Sequence, residues 1–222
     1  AAEALFKAAV KANGVEKVSS PTWPCTLIGN RSPSRTRAAS TQNSVSSGPK
    51  SLVPVGGRPL LAWQIGRLRS IGVDRVIVSC LAGQEPPFQR DLAGLGVELV
   101  CAGEPERLGR GGGIRFAARQ RHEDGDVFAM NGDELVDVDF AALLERHRAT
   151  GAAATVTVAQ PPSQFGQVDL TEDDVVTGFH EVAQVPCWVN CGSYVLSPEA
   201  VDRFPERGDH ETSTFPELAA EG

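Results

Sequence analysis

Between Arg58 and Gly151 the chain alternates two hydrophobic periods, and this alternation constrains its fold more than any other feature. RPLLAWQIGRLRSIG places Leu61, Ile65, Leu68 and Ile71 on one helical stripe, with Pro59 near the start and Gly72 at the stop. VDRVIVSC then reads as a buried strand, FQRDLAGLG as a short helix and VELVC as a strand. GIRFAARQ follows as a helix, DVFAMN as a strand and FAALLERHRATG as a helix. Strands separated by crossover helices pair in parallel. The order predicts an α/β fold, Rossmann-like, with three α/β/α layers around a mixed, mostly parallel sheet and ligands beyond the carboxyl ends of its strands.

After Gly151 the rhythm changes. AATVTVAQ, GQVDL, VVTGFHE and CWVNCGSYVL all have strand character, and only SPEAVDRF and the closing residues look helical. An antiparallel extension and a lid are expected here. Residues 1–47 form a compositional zone of their own: AAEALFKAAVKANG predicts a short helix ending at Gly14, and 18–47 are dominated by Ser, Thr, Pro and Asn, a composition of loop or disorder. The expected organisation is an atypical Ser/Thr-rich segment over 1–47 and one domain over 48–222. A chain of 222 residues with 41% hydrophobic content can bury one substantial core.

The net charge of −7 hides an asymmetry. Residues 1–50 carry seven Lys/Arg against two Glu, whereas 51–222 carry fourteen Arg against twenty-six Asp/Glu. An acidic body disfavours a nucleic-acid backbone as partner, and leaves room for a phosphorylated small ligand held by local cations and a metal. No apolar run is long enough to span a bilayer, and the first twenty residues lack a signal peptide's apolar core. No membrane partner is expected, and the expected compartment is the cytoplasm. Cys25, Cys80, Cys101, Cys187 and Cys191, odd in number and irregular in spacing, predict free thiols, three of them in strands. A homo-oligomer is compatible with the sequence.

Four stretches carry candidate chemistry. The first is PKSLVPVGGRPLL, where Lys50 is the last lysine of the chain. It reads as a turn before a helix, and in a body that otherwise uses only Arg a lone Lys also suits a phosphate contact that needs a compact point charge. The second is EPERLGRGGGIR, between a predicted strand and a predicted helix, whose glycines let the backbone approach a base or phosphate beside free helix N–H groups. A flexible turn and a dinucleotide loop compete for that stretch, although its GxGGG spacing is not GxGxxG. The third is FAMNGDEL, where Asp133 ends a strand as an ordinary turn residue or as an oxygen ligand for Mg²⁺. The fourth joins FGQV, FHE and WVNCGSYVL, which put Gly166, Glu181 and Asn190 on neighbouring strands; the carboxylate and the amide suit sugar hydroxyls.

Other chemistries lack their residues. Cys187, Cys191 and His180 have neither a CxxC pair nor regular His spacing for zinc, and there is no GxSxG elbow for a nucleophilic serine. None of His122, His147, His180 and His210 is assigned a catalytic role.

Together, PKSLVPVGGRPLL, EPERLGRGGGIRFA, VFAMNGDEL, FGQVDL, FHE and WVNCGSYVLSPEAVDRFP resemble the nucleotide-sugar pyrophosphorylase family, in its order and at its spacing, over about residues 48–222. The texture is similar to that of bacterial mannose-1-phosphate guanylyltransferase-like members. The resemblance implies a nucleotidyltransferase that joins a nucleoside triphosphate to a sugar 1-phosphate and releases pyrophosphate with Mg²⁺ as cofactor. It implies that Lys50 contacts the triphosphate, that Gly109, Gly111 and Gly112 lie under the base, and that Asp133 binds metal. Gly166, Glu181 and Asn190 take the sugar-binding positions, in the antiparallel extension. Arg110 stands where Thr is common, and Val182 where a Lys often follows the Glu.

The family opens with an apolar strand and a GGxGTRL-type loop, for which this chain offers Leu27 to Arg37, with only Thr36-Arg37 echoing the loop. It also stops at Gly222, ahead of the strand in which many relatives carry a second metal-binding Asp. These departures predict a poor catalyst and a domain incomplete at its C-terminal end. A catalytically impaired binding relative is the alternative expectation, and a dinucleotide-dependent oxidoreductase a more remote one.

Overall fold

The computed structural model describes residues 49–163, 165–181, 185 and 187–221, and the backbone alone of 2–6 and 16–17. The N-terminal strands are β1 (Ala2–Phe6) and β2 (Glu16–Lys17). A 3-10 turn, Lys50–Leu52, leads to the short pair β3 (Pro54–Val55) and β4 (Arg58–Pro59). Then come α1 (Leu60–Ser70), β5 (Val73–Leu81), α2 (Glu85–Asp91), β6 (Glu98–Glu104), α3 (Gly109–Ala118), β7 (Val127–Met130) and α4 (Phe140–Thr150). The remainder is β8 (Ala154–Ala159), β9 (Gln167–Leu170), β10 (Val176–His180), β11 (Val189–Leu196), α5 (Pro198–Asp202), a 3-10 turn (His210–Thr212) and α6 (Thr214–Glu221).

Seven strands form one sheet in the order β2-β8-β11-β7-β1-β5-β6. β1 lies parallel to both β5 and β7, β6 is parallel to β5, and β2 to β8; β11 runs antiparallel to β7 and β8. β3 with β4, and β9 with β10, make two separate antiparallel pairs. The class is α/β, as the alternation predicts.

The helix predicted for the first fourteen residues does not form over Ala2–Phe6, which is instead an interior strand of the sheet, paired on both edges. Ala, Glu and Leu favour helices by only about a few tenths of a kcal/mol per residue, less than pairing on both strand edges supplies. The stretch expected to supply an opening strand and loop, Leu27 to Arg37, lies outside the described residues, as does the rest of 18–47.

Strand periodicity divides the core between the two faces of the sheet. Ile77, Val127, Ala129, Tyr194 and Leu196 pack with α3, α5 and α6, while Val76, Val78, Phe128, Met130 and Val195 pack with α1, α2 and α4. Both faces of β7 are therefore buried, which a run such as Val-Phe-Ala-Met requires. α4 is closed at its start by Asp139, whose side chain accepts from the backbone N–H groups of Ala141 and Ala142. α2 begins at Glu85, ahead of the predicted Phe88, because Pro86 and Pro87 fit a first turn that needs no N–H donors. Among the described residues no helix is long and apolar enough to cross a membrane.

The β9–β10 hairpin is two-faced. Val168, Leu170, Val176 and Phe179 share one exposed apolar face, while Asp169 meets His180 at 2.6 Å on the other.

Candidate functional site

Lys50 sits on an exposed 3-10 turn that is held by its own backbone, Leu52 N–H to Pro49 O at 2.9 Å and Val53 N–H to Lys50 O at 3.1 Å. The turn rests on the loop that leaves β7: a Cβ added to Gly132 would lie 3.2 Å from the Cβ of Ser51. This close approach brings the Lys50 backbone and the Asn131–Glu134 loop to one place.

That loop is pinned from several sides. Asn131 N–H donates to Gly192 O at 2.8 Å, the Asn131 amide donates to Glu134 Oε1 at 3.0 Å, and Gln64 donates to Asn131 O at 2.8 Å and also to Glu134 O. Gly192 has φ +61, and a side chain there would strike the Glu134 carboxylate and the Asn131 amide, so glycine is required. Asp133 faces solvent at the carboxyl end of β7. Burial, first, and the charges of Asp133 and Glu211 hold the Glu134 carboxyl above its usual range, against the Asn131 hydrogen bond and the Arg110 charge.

Asn190 belongs to a second, adjoining network. Its Oδ1 accepts from Gly192 N–H at 2.9 Å and from the Tyr194 hydroxyl at 2.8 Å, and its Nδ2 donates to Glu211 Oε1 at 3.1 Å. The other oxygen of Glu211 pairs with Arg110 Nη2 at 2.7 Å, and Arg110 Nε donates to Asp209 Oδ2 at 2.8 Å. Asp209 also accepts from Glu211 N–H at 2.9 Å, which fixes the 3-10 turn carrying Glu211. Burial raises the Tyr194 phenol far above its ordinary value, so it stays a neutral donor.

The glycines of EPERLGRGGGIR are not a loop ahead of a helix. α3 starts at Gly109, four residues before the predicted Gly113, and Gly111 and Gly112 lie buried in its first turn. The helix N–H groups expected to be free are partly taken: Gly111 and Gly112 both donate to Gly208 O, at 3.0 and 3.4 Å. Close packing explains the residue choice. A Cβ at Gly109 would lie 2.5 Å from Gly208 O, at Gly111 2.9 Å from His210 N, and at Gly112 2.5 Å from Glu206 O. Gly109 and Arg110 additionally line a cavity of about 400 Å³, together with Ser79, Phe88, Glu104 and Arg107. Glu104 is buried on its wall and accepts from Ser79 Oγ at 2.6 Å and Leu108 N–H at 3.2 Å.

Gly166 and Glu181 meet each other in the β9–β10 hairpin, where a Cβ on Gly166 would lie 3.6 Å from Glu181 Oε1 and 2.7 Å from the Phe179 ring. The structure thus links Lys50, Asp133 and Asn190 by contacts through Ser51, Asn131 and Gly192, and holds Gly166 with Glu181 at the open end of a separate hairpin; contrary to the expectation of neighbouring strands, Asn190 lies on β11 of the large sheet, which does not pair with β9 or β10. Sequence reasoning missed Glu134, Tyr194, Asp209 and Glu211 as parts of the site. Glu134 adjoins the Asn-Gly-Asp signal and Tyr194 the Asn190 signal, whereas GDHET offers no motif or period that distinguishes Glu211 from a surface acid.

The family model for nucleotidyl transferases matches residues 45–221 of this chain. The mannose-1-phosphate guanylyltransferase of Mycobacterium tuberculosis is 34% identical over 186 residues, covering 79% of this chain and 51% of that protein. A probable mannose-1-phosphate guanylyltransferase 1 of Oryza sativa is 32% identical over 185 residues, covering 78% and 51%. The chain spans about half the length of the curated relatives it matches. Among solved structures, HddC from Yersinia pseudotuberculosis superposes with a TM-score of 0.60 at 18% identity, covering 97% of this chain and 85% of that one, a likeness of fold.

Proposed function

Since this chain belongs to the nucleotidyl transferase family, we propose that it joins a nucleoside triphosphate to a sugar 1-phosphate with release of pyrophosphate. The observation that carries the reading is the seating of the Lys50–Leu52 turn on the Asn131–Glu134 loop, which brings the backbone of the chain's last lysine beside the loop that carries an exposed strand-end carboxylate. In the reaction a sugar-phosphate oxygen attacks the α-phosphorus in line, the bond from that phosphorus to the α,β-bridging oxygen breaks, and pyrophosphate leaves with the electron pair. The attacking oxygen is already ionised at neutral pH, so no general base is needed. Positioning and neutralisation of charge do the work.

Lys50 would meet the triphosphate, and Asn190, with Gly166 and Glu181 from the hairpin, the sugar. Gly109 and the cavity beside it would take the base, with Gly111 and Gly112 shaping that wall from beneath. Mg²⁺ fits the residues present: Asp133 offers one exposed carboxylate at the carboxyl end of β7, the oxygen donor a hard cation takes. A single protein carboxylate completed by phosphate oxygens and water is the usual Mg²⁺ arrangement in such chemistry. Bound there, the ion would offset charge on the phosphates.

GTP and mannose 1-phosphate are the first pair to test. The guanylyltransferase relatives favour them. The parallel pairings of β1, β5, β6 and β7, with helices packed on both faces, support a Rossmann-like three-layer arrangement, and the β9–β10 hairpin an antiparallel sugar-binding extension. A cytoplasmic setting without nucleic-acid or membrane partners belongs to the same proposal, as does a domain organisation of 1–47 ahead of 48–222. Calorimetry tests it. GTP with Mg²⁺ is expected to bind, and no binding of any nucleoside triphosphate at millimolar concentration would overturn the reading.

A further inference from the structure

Arg110 faces two ways. Arg110 lines the 400 Å³ cavity, and its guanidinium spans to Asp209 and Glu211 at 2.8 and 2.7 Å. Glu211 in turn holds the Asn190 amide at 3.1 Å, and Asn190 holds the Tyr194 hydroxyl at 2.8 Å. We infer that Arg110 and Glu211 form a relay through which a nucleotide, its base in the cavity and its phosphates beside Arg110, draws Arg110 off Glu211 and frees that carboxylate, still held by the Asn190 amide, to accept from sugar hydroxyls, which makes Arg110 a positioning residue and Glu211 a sugar contact. This rests on the cavity being the nucleotide subsite.

The physical basis is competition for one guanidinium. Arginine pairs with phosphate in the same forked geometry as with carboxylate, so a phosphate chain entering beside Arg110 competes with Asp209 and Glu211 for the same N–H donors. As Arg110 turns toward phosphate, Glu211 loses its cation and keeps the Asn190 amide as its hydrogen-bond donor. A half-buried carboxylate in that state attracts hydroxyl donors, which a sugar supplies. Glu134 lies close enough to feel both Glu211 and Arg110, so the loss of neutralisation extends to the Asn131–Glu134 loop. By linkage, a sugar phosphate held by Glu211 and Asn190 favours nucleotide to the same degree.

Tyr194 is the only tyrosine in the chain, so protein labelled with ¹³C-tyrosine gives one ring signal at the end of the relay. Arg110→Thr and Glu211→Gln are each expected to move that signal, and the double variant no further than Glu211→Gln alone. Adding GTP and Mg²⁺ to the wild-type chain should move it as well. A non-hydrolysable GTP analogue is expected to tighten mannose 1-phosphate binding by about tenfold in the wild type and not in Glu211→Gln. If Arg110→Thr fails to fold, Arg110→Lys, which keeps the charge and lacks the planar fork, carries the same comparison. An unmoved Tyr194 signal in the Arg110 variant, or additive shifts in the double variant, overturns the relay. If wild type binds no GTP, the nucleotide reading falls; if GTP binds and the Tyr194 signal stays in place, the relay alone falls.

Discussion

Replacing Gly109 by Ala perturbs the place where the glycine-rich helix meets the segment 205–210. At φ +80 an alanine pays a backbone penalty of about 1–2 kcal/mol. Its Cβ would also sit 2.5 Å from Gly208 O and 2.9 Å from Gly208 C, both backbone atoms that no rotamer change can move. The segment must retreat, and with it go the bonds from Gly111 and Gly112 N–H to Gly208 O, each worth about 0.5–1.5 kcal/mol. The expected loss is roughly 2–5 kcal/mol, a large share of the 5–15 kcal/mol typical of a domain. Equilibrium urea unfolding without ligand is the assay, with Gly125→Ala as control, since nothing lies within 4 Å of a Cβ there. If Gly109→Ala and Gly125→Ala unfold within about 1 kcal/mol of one another, the packing role of the glycines is refuted.

Asp133→Asn should remove the Mg²⁺ dependence of GTP binding and slow transfer by about two to three powers of ten, measured by calorimetry and pyrophosphate release; unchanged Mg²⁺ dependence would place the metal elsewhere. Lys50→Ala should weaken GTP binding about tenfold, a modest effect because the ammonium is exposed, and an unaltered affinity would remove Lys50 from the site. His210 is fully buried, stacked on Phe204 at 5.3 Å and edge-on to Phe215 at 4.3 Å, and burial pushes its imidazole down to about 4 despite Asp209 beside it. The unfolded chain takes up this proton near pH 6.5 and the folded chain near 4, so stability is intact above pH 6.5 and falls by up to about 3 kcal/mol as pH drops toward 4. His210→Phe should flatten that decline in urea midpoints measured across pH 4–7; an equal slope in both chains contradicts the assignment.

How far the sequence could be read follows from how local each signal is. The α1 stripe was legible because Leu61, Ile65 and Leu68 repeat at helical spacing and all three are buried. The strands β5 and β7 were legible because residues buried on both faces leave largely apolar runs, and β11 because it ends in one, Tyr194-Val195-Leu196. The β1 strand was not: Ala2–Phe6 is built from helix-favouring residues, and the sheet partners that decide its conformation are some seventy and more than a hundred residues away. The start of α3 was misplaced for a related reason. A glycine run inside a helix costs stability, and only the close approach of 205–210 explains it. In the site, Lys50, Asp133 and Asn190 carried local motifs, whereas Glu211 and Asp209 act through Arg110, about a hundred residues earlier.

The most direct test of the proposed chemistry is the formation of nucleotide sugar and pyrophosphate when the chain is mixed with GTP, Mg²⁺ and mannose 1-phosphate. The expected result is equimolar GDP-mannose and pyrophosphate, dependent on both substrates, at a rate below the roughly ten per second of an ordinary enzyme, and slowed about two to three powers of ten in Asp133→Asn. Turnover that persists undiminished in Asp133→Asn, or no transfer with any nucleoside triphosphate and sugar phosphate, would contradict it.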